Sequence, residues 1–125
     1  MRLVDTSVAV DHLRAHEPAT RLLDALLGEQ VALVSSELVR FELLAGVRPA
    51  DEDALEVFLQ VIDWVPVTEP VVRRAAAFAQ AYRGSHVGID DTDYIVAGTA
   101  AVLGAPLLTT NLRHFPMFDG LQRPY

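Results

Sequence analysis

Four short apolar runs, at residues 2–4, 31–34, 65–67 and 106–109, recur along this chain without alternating between apolar and polar residues. A strand with one wet face alternates; a continuous apolar run belongs to a strand buried on both faces. Such strands need helices above and below them, and helical patterns fill the intervals. The spacing predicts helices over residues 7–14, 18–27, 36–45, 50–64, 70–82 and 93–103, four of them stopped by Gly28, Gly46, Gly84 and Gly104. Strands alternating with helices make an α/β fold with a mostly parallel central sheet of four to five strands and helices on both faces. The 125 residues suit one domain, 1–125, with no repeat and no linker long enough to divide it. Residues 83–91, with two glycines, are the predicted mobile loop.

In such a sheet the chemistry gathers at the carboxyl ends of the strands. Asp5 follows the first run immediately, and Thr109 and Asn111 follow the last. Asp5 fits either a site carboxylate or a plain helix cap, and Asn111 either an oxygen ligand or a turn residue. Two further acids stand out. Glu42, in SELVRFELLAG, lies nearly two turns into its helix on the face of Leu38 and Ala45, between Phe41 and Leu43. A solvated glutamate is the ordinary alternative there. In GIDDTDYIVAGTA, Asp90, Asp91 and Asp93 crowd the start of an apolar helix. Asp90 or Thr92 can cap that helix, and first-turn acids complement its dipole. Capping does not require three carboxylates in four positions. Two charges about 4 Å apart repel by roughly 4 kcal/mol at an effective dielectric near 20, a cost that a shared cation removes.

Composition narrows the chemistry. The chain contains no cysteine and no lysine, its ten basic residues all being arginine. Thiolate zinc sites, cysteine or lysine nucleophiles and Walker-type phosphate loops are thereby excluded. His12, His16, His86 and His114 lack zinc-type spacing and read as surface residues. Seventeen acids against ten bases leave a net charge of −7, so long-range attraction to nucleic acid is not expected. No apolar stretch is long enough to span a membrane, and Asp5 and Asp11 interrupt any signal-like segment. A soluble, cytoplasmic protein is the expectation.

Taken in order, LVDTSV, SELVRFELLAG, DYIVAGTA followed by LGAPLLTTN, and the NLRHF tail resemble the PIN-domain ribonucleases, most closely the VapC toxins of bacterial toxin–antitoxin pairs. The resemblance covers nearly the whole chain and implies a PIN-like single domain. It also implies a Mg²⁺- or Mn²⁺-dependent endoribonuclease that cleaves cellular RNA and inhibits growth. Its pattern maps three acids onto Asp5, Glu42 and Asp93. Asp5 and Asp93 would be the principal metal ligands, and Glu42 would act directly, through water, or in activating that water. The fourth position, often Asp in the family, falls on Asn111, which weakens the case for a second metal. Thr6, Ser7, Thr109, Asp90 and Asp91 would orient these groups.

Arg113, Arg40 and Arg83 are candidate contacts for RNA phosphate, with ordinary surface arginines as the alternative. The family further implies a small VapB-like antitoxin and a homodimer. Val8, Val10, Leu13, Leu22 and Leu26 would offer the antitoxin an apolar groove, unless they are simply core. Two other readings compete. A phospho-accepting receiver domain needs a lysine, and this chain has none. A catalytically weak PIN-like scaffold that binds RNA or protein would bind no Mg²⁺ or Mn²⁺.

Overall fold

The computed structural model describes residues 1–125. Four strands, β1 (Arg2–Val4), β2 (Leu33–Ser36), β3 (Asp63–Val65) and β4 (Leu107–Leu108), form one sheet in the order β3-β2-β1-β4. Every pairing is parallel. The chain builds outward from β1 through β2 to β3, then returns to lay β4 on the other side of β1. That reversal puts a topological switch point between β1 and β4, where open α/β sheets place their ligands. Six helices connect and cover the strands: α1 (Thr6–Leu13), α2 (Glu17–Gly28), α3 (Glu37–Gly46), α4 (Glu52–Val61), α5 (Glu69–Tyr82) and α6 (Asp91–Leu103). None is long and apolar enough to cross a membrane.

The non-alternating runs are buried as expected. Leu3 and Val4, neighbours that point to opposite faces, are both fully buried, and all four residues of β2 are buried. The boundaries of β2 lie two residues later than the apolar run suggests. Ser35 and Ser36 complete it because each hydroxyl finds a partner: Ser35 Oγ donates to Val4 O (2.6 Å), and Ser36 Oγ accepts from Leu38 N (3.1 Å), capping α3.

The helix expected over 50–64 is corrected by the structure. It stops at Val61, Ile62 turns extended, and Asp63–Val65 pairs with β2 as β3, displacing the strand expected at 65–67. Phe58 and Ile62 are both buried, so a spacing of four satisfied helix and strand alike. The apolar groove on α1 and α2 is also corrected in part: Val8 and Leu13 are core, while Val10, Leu22 and Leu26 pack partly buried against it.

Helices α5 and α6 pack closely against each other at Gly98. A Cβ placed on Gly98 of α6 would lie 2.7 Å from the Val71 carbonyl oxygen of α5. Gly104, at φ 64°, ends α6 in the left-handed conformation that glycine adopts without strain.

His12 on α1 contacts Thr20 Oγ1 through Nδ1 (2.9 Å) and packs against the Phe58 ring. Burial lowers its pKa, opposed by the charge of Asp24. A lowered pKa means that the unfolded chain binds the proton more tightly, so the neutral ring's contribution is lost as pH falls below its ordinary value near 6.5. Thermal melts from pH 7.5 to 5.5 should therefore show the wild type losing stability relative to His12→Asn as pH drops. Parallel curves would remove His12 as the source.

Candidate active site

At the switch point, Asp5 leaves β1 and enters α1. It occupies the N-cap position, yet its side chain makes no capping hydrogen bond. Its carboxylate instead turns toward β4, only 4% of the residue being exposed. Oδ2 accepts from Thr109 Oγ1 (2.7 Å) and Ser7 Oγ (3.0 Å). Those hydroxyls in turn accept from the loop after β4: Thr109 Oγ1 from Asn111 N (3.0 Å), and Ser7 Oγ from Thr110 N (3.1 Å). Each hydroxyl has one proton, and both protons go to Asp5. One carboxylate oxygen is thus clamped by two donors. Oδ1 takes no protein hydrogen bond and is not sealed from solvent, so it faces the open recess.

That recess, about 390 Å³, is lined by Asp5, Glu42, Asp93 and Asn111, the four positions of the sequence pattern. Glu42 is half-buried beside Val39 and Leu43 of the core, not on a solvated face. Its Oε1 accepts from Thr6 Oγ1 (2.8 Å), which ties α3 to the start of α1. Burial raises the Glu42 pKa most, Thr6 opposes, and the charges of Asp5 and Asp90 raise it further. Asp93 forms a reciprocal capping box with Asp90 at the start of α6: Asp93 N donates to Asp90 Oδ1 (3.2 Å), and Asp90 N to Asp93 Oδ2 (3.3 Å). The capping role is therefore real, but it leaves Asp93 in the recess. Burial, followed among the raising effects by the charge of Asp90, pushes Asp93 up to about 6, against the Asp90 N–H and His114.

Asp91 does not join this group. It pairs with Arg83 (2.5 Å) on the α5 side, and Arg83 also stacks over Tyr94 at 5.5 Å. Arg40 is likewise engaged elsewhere, with Glu37 and over the Trp64 ring. Of the three arginines singled out, Arg113 alone lines a recess bordering the acids.

Two groups in the recess escape a reading of the sequence. Asp11 lies one turn beyond Ser7 on α1 and accepts from Tyr125 Oη (2.6 Å). His114 is returned by a short 3₁₀ turn, Leu112–His114, to stand 3.1 Å from Asp93 Oδ2. Its position three residues after Asn111 is the only signal of this.

The donors are mainly carboxylate, carboxamide and hydroxyl oxygens, which suit hard divalent cations. No three acid or histidine side chains are gathered around one point tightly enough to hold an ion unaided.

A family model for the PIN domain matches residues 2–120. Ribonuclease VapC19 of Mycobacterium tuberculosis is 54% identical over 125 residues, covering all of both chains. Among solved structures, a toxin–antitoxin complex from Klebsiella pneumoniae aligns with a TM-score of 0.83 at 21% identity, over 100% of this chain and 98% of that one. VapBC2 from Rickettsia felis, bound to a promoter DNA fragment, aligns at 0.81 and 18% identity over 96% and 94%. At those identities the structural likeness speaks for the fold alone.

Proposed function

The chain belongs to the PIN-domain family, and from that premise we propose that it is a VapC-type ribonuclease, the toxin of a toxin–antitoxin pair, hydrolysing RNA with a divalent metal. The observation that carries the chemistry is Asp5: a buried carboxylate, unused as a cap and clamped through one oxygen, facing Glu42 and Asp93 across a common recess.

A water activated by the metal would need no nucleophilic side chain, which fits a chain with neither cysteine nor lysine. Asp5 Oδ1 and the Asp93 carboxylate would hold Mg²⁺ or Mn²⁺, with water completing a shell that the protein alone does not close. When bound, such an ion acidifies water and offsets charge on a phosphoryl group in flight. Ser7 and Thr109 keep Asp5 in one orientation, and Asn111 N is fixed by the same hydroxyl network. Glu42, held by Thr6 at Oε1, has Oε2 available to take a proton from water entering the recess. Acting on cellular RNA, it would work in the cytoplasm.

A cognate antitoxin and a second copy of the chain both require apolar surface. Phe41 and Leu44 of α3 and Val57 and Val61 of α4 are exposed.

The direct test is cleavage of RNA by purified protein in Mg²⁺ or Mn²⁺ against EDTA, paired with mapping of new RNA 5′ ends after induced expression. Cleavage that needs the metal and Asp5 supports the reading. No cleavage and no metal-dependent thermal shift would leave the catalytically weak scaffold. Asn111 supplies the fourth oxygen position without a charge, so calorimetry with Mn²⁺ should return one well-occupied site. Asn111→Asp should tighten it roughly tenfold, equivalent to about 1.4 kcal/mol. Equal affinities in both proteins would reduce Asn111 to a turn residue.

A further inference from the structure

Beside the acidic recess lies a second one of about 560 Å³, within the roughly 300–1,000 Å³ typical of ligand pockets. The two share Thr110, Asn111 and His114 as a common wall. Beyond that wall the second recess presents Arg113 and Arg123, and no acid lines it. In a chain of seventeen acids and ten bases, that separation of charge is unexpected from composition. Arg21, Arg40, Arg48, Arg73 and Arg83 are each paired with an acid of the chain. Of the five exposed arginines left without an acid partner, Arg2, Arg14, Arg74, Arg113 and Arg123, only Arg113 and Arg123 share this recess.

Different elements deliver the two guanidinium groups to one place. The turn Leu112–His114 carries Arg113 directly off Asn111. Arg123 comes from the C-terminal segment, whose last residue is fastened down: Tyr125 Oη donates to Asp11 Oδ2 (2.6 Å), and its ring packs against His16 at 5.6 Å. Asp11 itself opens onto the acidic recess. The tail is thus tied to the rim of the site, with Arg123 two residues before the tie.

The geometry points to a flanking-phosphate subsite: Arg113 and Arg123 hold a phosphate of the RNA chain next to the one that is cut, and Tyr125 positions Arg123. This rests on the ribonuclease reading of the adjoining recess. An unpaired guanidinium presents the planar fork that matches phosphate oxygens. The local pair also resolves a difficulty with net charge. A protein at −7 repels RNA at long range, so attraction has to come from cations at the site itself.

The test uses the full-length protein and a single-stranded RNA of about 12 nucleotides. Binding is followed by fluorescence anisotropy in Ca²⁺, which occupies oxygen sites with looser geometry than Mg²⁺, and cleavage in Mn²⁺. Arg113→Ala and Arg123→Ala should each weaken binding and raise KM about 5- to 10-fold, with kcat within about twofold. Each should also reduce the log–log salt slope of binding by about 0.7, the single-strand value for one phosphate contact. Arg123→Lys should keep most of the slope, Tyr125→Phe should raise KM less than Arg123→Ala, and Arg21→Ala serves as the remote charge control. The subsite is overturned if the double variant binds RNA with the wild-type Kd and slope, if the wild type binds no RNA, or if kcat alone falls. RNA bound through these arginines but never cut in Mg²⁺ or Mn²⁺ would instead overturn the ribonuclease reading.

Discussion

Replacing Asp93 with Asn is expected to lower the rate of RNA cleavage by at least about 100-fold while leaving the fold intact. Groups that merely orient a metal ligand are worth roughly 10–100-fold, so a principal ligand should exceed that range. The change is nearly isosteric. An Asn side-chain carbonyl still accepts from Asp90 N, so the capping box keeps that bond and what disappears is the charge. Folded Asp93 has a pKa raised to about 6, from burial and from Asp90. A raised carboxyl pKa stabilises the fold below the unfolded value near 3.8, and that stability is lost as pH rises through about 6. At pH 7.5 in EDTA, Asn should therefore melt at the same temperature as wild type or higher. Asp5→Asn should match the catalytic loss by a different route. Its carbonyl can still accept from Ser7 and Thr109, which directs the new NH₂ group into the recess where a cation is needed. Single-turnover cleavage in Mn²⁺, beside melts in EDTA, measures both effects. Either variant cutting RNA at the wild-type rate would remove that residue from the metal-binding assignment.

Why these acids were legible, and others not, follows from what a linear pattern records. Asp5 and Asn111 sit where buried strands end, and the non-alternating runs locate those ends to within two residues. Glu42 was recognisable from an acid among apolar neighbours on a helix, though its bond to Thr6, 36 positions away, was not. Asp90, Asp91 and Asp93 look equivalent in sequence. Only the turn into α6 separates them, directing Asp93 into the recess and Asp91 toward Arg83. His114 looks like a surface residue because it lacks metal-type spacing to another histidine, and it is the 3₁₀ turn Leu112–His114 that brings it to Asp93. Arg40 illustrates the converse: Glu37, three residues earlier on the same helix, already offered it a local partner. The α4–β3 boundary was obscured because the Phe58–Ile62 spacing fits both elements, and pairing with β2 decided between them.

Gly98 should be a position outside the site that affects both stability and activity, because the placement of Asp93 depends on it. A Cβ there would lie 2.7 Å from Val71 O, 2.9 Å from Ala75 N and 3.1 Å from Ala75 Cβ, so it meets α5 backbone rather than a side chain that can swing aside. Alanine gains about 1 kcal/mol of helix propensity over glycine. Overpacking typically costs about 1–3 kcal/mol, and an obstruction made of backbone belongs at the upper end. Gly98→Ala should therefore lose about 1–2 kcal/mol net. Gly98→Val should lose about 3 kcal/mol or more, since β-branching forfeits most of the propensity gain while adding bulk. For a domain of this size the melting temperature should fall by roughly 4 °C per kcal/mol. The displacement also bears on the site. Gly98 lies about one and a half turns along α6 from Asp93, so pushing α6 away from α5 moves the carboxylate relative to Asp5, which is fixed to β1 and β4. Cleavage by the folded fraction of Gly98→Ala should consequently fall further than unfolding alone explains. Urea titration and cleavage at matched folded fraction separate the two effects. A variant as stable as wild type would mean that α5 yields more readily than a backbone contact of 2.7 Å allows.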